Sequence, residues 1–148
     1  MCDAESMTSA NVKIVREVML LVEEARNGDL SHLDKQIARL RDLVTDDAEI
    51  DMSARVFNPE VYRGLDGMRR LLGEVREVWE EWHVIPERLL DAGDRVVVIE
   101  TVRARGRGGG VELDDQAAAV WTLRHDRVTS VRTGVEIEEA LKAVGVEE

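Results

Sequence analysis

The stretch Asp94-Arg95-Val96-Val97-Val98-Ile99-Glu100-Thr101-Val102-Arg103-Ala104-Arg105 decides the fold. Alternate residues of a strand face opposite ways. Four consecutive apolar residues, Val96 to Ile99, therefore need cover on both faces of a sheet. Val96, Val98, Val102 and Ala104 share one face with Glu100, while Arg95, Val97, Ile99, Thr101, Arg103 and Arg105 share the other. The arginines turn the second face toward water at its ends. Glu100 then points into the domain as a lone acid on an apolar concave face, the pattern of a pocket.

This strand sits in a series. His83 to Leu90 precedes it across the Asp91-Ala92-Gly93-Asp94 turn, and Val111 to Arg124 follows a glycine-rich turn at Gly106 to Gly110. His125-Asp126 connects to a fourth long strand, Arg127 to Ile137, and Glu138 to Val144 reads as a short closing helix. Upstream the periodicity is helical. Val12, Val15, Met19 and Val22 mark a helix over Asn11 to Arg26 that stops at Gly28. A second helix starts at Ser31 and carries Leu33, Ile37, Leu40 and Val44. Ala48 to Ala54 alternates as a short strand, Asn58-Pro59 marks a turn, and Val61 to Gly64 is extended. A third helix runs from Asp66 to Trp82 with Met68, Leu72, Val75, Trp79 and Trp82 on one face. Helices first and a meander of long strands after them mean an α+β fold. The expected form is a curled antiparallel sheet wrapped, cone-shaped, around the N-terminal helices, a cystatin-like α+β barrel with a hollow interior.

The 148 residues make one domain, 11–148, behind a loose tail at 1–10. A net charge of −11 argues against nucleic acid and anionic membrane surfaces. No apolar run is long enough to span a membrane. The single cysteine, Cys2, cannot form an internal disulfide and fits a reducing, cytoplasmic setting. His32, His83 and His125 are scattered, so no metal site is expected. The glycines at 106–110 lack the lysine and helix of a phosphate-binding loop, and no cofactor is expected.

The order helix, Asn27-Gly28-Asp29-Leu30, helix, Asp46-Asp47-Ala48, strand, Tyr62-Arg63-Gly64, helix and four long strands resembles the nuclear transport factor 2-like superfamily. Its SnoaL-like group, related to ketosteroid isomerase and limonene epoxide hydrolase, is the nearest in look. The likeness rests on Val61 to Gly67, Trp79-Glu80-Glu81-Trp82, Ala92 to Val98, Val120 to Arg124 and Glu138 to Leu141. It implies a deep apolar pocket for a small apolar organic molecule, and homodimers joined through the outer sheet face. Val97, Ile99, Ala118 and Val120 would occupy that face with no helix over them. The resemblance also shows departures. The isomerase base falls on Met52, its oxyanion aspartate on Ala119 and its oxyanion tyrosine near Leu21; the last-strand aspartate of the epoxide hydrolases falls on Thr133. A fold of this kind hosts many functions.

The inward polar residues carry the functional reading. Glu100 is the candidate acid or base, because an apolar setting raises a carboxyl toward neutral pH. An ion pair with Arg88, Arg103 or a partner chain is its structural alternative. His83 and Asp115 are the assisting catalytic candidates. Met52, Tyr62, Trp79, Trp82, Val98, Ala119, Trp121 and Thr133 are the expected ligand contacts. With the resemblance, these residues point to a cofactor-free isomerase, cyclase or dehydratase acting on an apolar oxygenated substrate, or else to a hydrophobic-ligand-binding or accessory protein without turnover.

Overall fold

Val12, Val15, Val18 and Leu21 recur at helical spacing and are buried along one side of α1 (Ala10–Asn27). The computed structural model describes residues 10–27, 33–53, 60–109 and 111–145. The tail with Cys2, the Gly28 stop, Ser31, His32, the Asn58-Pro59 turn and Gly110 lie outside the described residues.

Helix α2 (Leu33–Leu40) is shorter than its apolar spacing suggests. The Arg41 N–H is shared between the Ile37 and Ala38 carbonyls, and Leu43 N–H bonds to Leu40 O at 2.9 Å. Such three-residue bonds tighten and end a helix. Val44, expected in that helix, instead opens β1 (Val44–Asp51) and pairs with Val128. Strand β2 (Val61–Arg63) runs antiparallel to β1. Gly64 then starts α3 (Gly64–Val78) at φ +67°, and a Cβ there would lie 2.8 Å from the Asp46 carbonyl oxygen, so only glycine fits.

The third helix ends at Val78, not at Trp82. Trp79 and Trp82 belong to β3 (Trp79–Asp91), which pairs along its length with β4 (Arg95–Gly106). A register shift between Trp79 and Glu81 changes the alternation there. The two indoles thus keep to one side of the sheet at a spacing that also suits a helix, which is why the pattern misled. Strands β5 (Glu112–Arg124) and β6 (Arg127–Val135) follow, joined by a tight turn with His125 and Asp126 at φ 53° and 65°. Helix α4 (Ile137–Ala143) closes the chain.

The six strands form one sheet in the order β2-β1-β6-β5-β4-β3. It is curled but not closed. All its pairings are antiparallel except β1 with β6, which is parallel, so the sheet is mixed and not wholly antiparallel. Helices α1 and α3 supply Val15, Val18, Leu71 and Leu72 to a core built on the concave face with Val96, Val98, Trp121 and Val131. The outer face differs from expectation. Ala140 and Leu141 of α4 pack on Val97, Ala118 and Val135, so these positions are covered within the chain. Among the described residues no helix is long and apolar enough to cross a membrane.

Candidate functional site

The curl of the sheet leaves a cavity of about 590 Å³ between the helices and the concave face. Ligand pockets fall in the range of about 300–1,000 Å³. Its wall is mostly apolar, with Val18 and Val22 from α1, Leu72 and Val75 from α3, and Trp79 and Trp82 from β3. The two indoles meet edge to face with centroids 5.2 Å apart.

Glu100 stands in this wall, 5% exposed. Its neighbours across the sheet are Pro86 on β3 and Ala117 on β5, neither of which has a side-chain donor. Among the described residues its carboxyl makes no hydrogen bond. Burial pushes it up to about 7, against a smaller opposing pull from Arg26. The acid therefore takes both protonation states near neutral pH. Neither Arg88 nor Arg103 neutralises it; Arg103 pairs with Asp114 at 3.5 Å.

Arg26, at the end of α1, also lines the cavity, and its side chain is 10% exposed. Its Nη2 lies 3.8 Å from Glu23 Oε1. Its Nε is buried with no hydrogen-bond partner among the described residues. Burial holds the guanidinium below its ordinary range, opposed by the charges of Glu23 and Glu100. The helix end beneath it is fixed by Arg76, whose Nη1 donates to the Ala25 and Arg26 carbonyls at 3.2 and 2.8 Å. Sequence reading missed Arg26, yet a signal exists. It continues the spacing of four set by Val18 and Val22, so it shares their face.

Of the residues expected from sequence, Met52, Trp79, Trp82, Glu100, Asp115, Ala119, Trp121 and Thr133 surround the cavity. The Trp121 Nε1 and Thr133 Oγ1 atoms are buried without partners among the described residues. Asp115 is exposed and accepts the Gln116 N–H at 2.9 Å. Tyr62, His83 and Val98 lie elsewhere. Tyr62 is buried in the core, donates to Glu74 Oε1 at 2.6 Å and carries the Arg70 guanidinium 4.6 Å from its ring centroid. His83 is 40% exposed and holds Glu23 Oε2 at 2.8 Å through Nδ1. Val98 is packed in the core. No group of three or more His, Cys, Asp or Glu among the described residues is placed to hold a metal ion.

Residues 24–131 match the profile of the SnoaL-like domain family. No curated protein matches the sequence. Similar solved structures share the fold at low identity. An NTF2-like protein from Burkholderia xenovorans LB400 is 20% identical, with a TM-score of 0.69 over 91% of this chain and 95% of that one. A candidate SnoaL-like polyketide cyclase from Jannaschia sp. CCS1 is 17% identical, with a TM-score of 0.66 over 94% of each chain. TerC, co-crystallised with polyporic acid, is 18% identical, with a TM-score of 0.66 over 93% of this chain and 99% of that one.

Proposed function

The chain belongs to the SnoaL-like domain family, and we propose that it carries out cofactor-independent acid–base chemistry on an apolar, oxygenated small molecule, with Glu100 as the acid or base. The observation that carries this reading is Glu100 itself, a buried carboxyl without a hydrogen-bond partner among the described residues, set in the wall of an apolar cavity and raised to about 7. A carboxylate so placed can take a proton from the carbon beside a carbonyl while the electron pair moves to the carbonyl oxygen. The carboxylic acid it becomes can return a proton at carbon or give one to a leaving oxygen. The Jannaschia neighbour's name and the acid bound by TerC agree with a small-molecule cavity in this fold.

Deuterium uptake from D₂O into an apolar 1,3-diketone tests the reading. The wild-type protein is expected to accelerate exchange with an apparent pKa near 7, and Glu100→Gln to lower the rate by about 100-fold. Equal rates for the two proteins would overturn it. A second reading, a carrier without turnover, is favoured by Met52 and Ala119 standing where the resemblance places acids. Ligand binding with no exchange in either protein would support the carrier.

A further inference from the structure

We propose that Arg26 is a ligand-binding residue and that the cavity accordingly takes an apolar acid, a molecule whose anionic oxygen meets the guanidinium while its carbon body fills the apolar wall. The inference rests on the cavity being the ligand site. It starts from an imbalance of charge. A buried guanidinium is costly unless it is paired and hydrogen-bonded. Arg26 is deeply buried, and its compensation within the described residues is incomplete. Glu23 is 3.8 Å away, beyond a hydrogen bond, and its other carboxylate oxygen is held by His83 at 2.8 Å. The Nε donor has no partner among the described residues. Glu100, the carboxyl that shares the cavity, is protonated over the acid half of the neutral range and then offers no charge.

The chemistry of the donors selects the ligand. A guanidinium presents its N–H groups as a planar fork that fits a carboxylate or an ionised enol. Protonated Glu100 adds an O–H to the same cavity. Around them the wall is apolar, with Trp79 and Trp82 suited to a flat carbon body. The backbone that carries Arg26 is held in place, because Arg76 ties the two carbonyls at the end of α1. The other charged groups around the cavity, Glu49, Asp115 and Glu136, are carboxylates on different elements. Arg26 is therefore the one cation among the described lining residues, and an anion that enters has a single place to go.

Calorimetric titration at pH 6 with naphthoate, naphthylmethanol and naphthylmethylammonium tests this, because the three share one carbon body and differ in charge. Naphthoate is expected to bind about tenfold more tightly than the alcohol, with the ammonium weakest. Arg26→Met should abolish the preference for the acid while leaving alcohol affinity within about twofold, and Arg26→Lys should keep part of it. If Arg26→Met fails to fold, the wild-type series and Arg26→Lys decide. Equal affinity for acid and alcohol, tightest binding of the ammonium, or an acid preference that survives Arg26→Met would each overturn the assignment and leave the cavity reading standing. Failure of all three compounds to bind would remove the cavity reading and this one with it.

Discussion

Along the inward face of β4, Val96 and Val98 are packed solid, whereas Glu100 and Val102, the next residues of the same parity, stand around a hollow. The strand does not change; its surroundings do. Val98 lies between Leu89 and Ala119 in the sheet, all three buried in the main core. Glu100 lies between Pro86 and Ala117, whose side chains are short, and borders the cavity. One end of the strand is thus part of the packed core, and the other borders the cavity. The same alternation that builds the core delivers a carboxyl to the cavity wall, where burial opposes its charge.

Substitutions and pH should separate the two ends. The largest effect is expected from pH at the hollow end. Below about 4.5, Glu100 is protonated in both the folded and unfolded chain; between there and about 7 the unfolded chain releases the proton and the folded one keeps it. Stability therefore falls as pH rises through this window, by about 3 kcal/mol in all. Denaturant titrations at pH 4 and pH 8 should show this loss in the wild type and not in Glu100→Gln, and parallel behaviour would mean that the carboxyl is solvated. At the packed end, Val98→Ala should cost about 2–3 kcal/mol by the loss of two methyl groups in a filled core. Tyr62→Phe, which removes the hydroxyl bonded to Glu74 at 2.6 Å, should cost about 1–2 kcal/mol. Val102→Ala, in the cavity wall, should cost less than about 1 kcal/mol, because it enlarges a space that already exists. A cost for Val102→Ala equal to that of Val98→Ala would erase the distinction between the ends.

Much of this was legible in the sequence for simple reasons. Val96 to Val102 alternates with no irregularity on its own strand, so parity alone turned Glu100 inward. The residues that misled lie where alternation is interrupted or where a distant element intervenes. The shifts at Trp79/Glu81 and Pro86/Arg88 reset which side chains of β3 face inward, and Tyr62 is packed in the core with its hydroxyl on Glu74, twelve residues away. His83 is drawn outward by Glu23 of α1, a pairing across sixty residues. Val97 and Ala118 looked uncovered because α4 is short; it docks through Ala140 and Leu141, with Ile137 and Val144 at its ends. Arg26 escaped notice because a basic residue in the last turn of a helix is ordinarily a solvated one that complements the helix dipole.

Pro86 has a consequence at the margin of the sheet. Strand β3 is an outermost strand, thirteen residues long, and a sheet edge of that length is a template on which another chain can pair. Pro86 supplies no N–H to a newcomer, and the register shift beside it breaks the run of donors and acceptors that a second chain would need to match. The residue that leaves Glu100 without a donor on one side thereby also interrupts the template on the other.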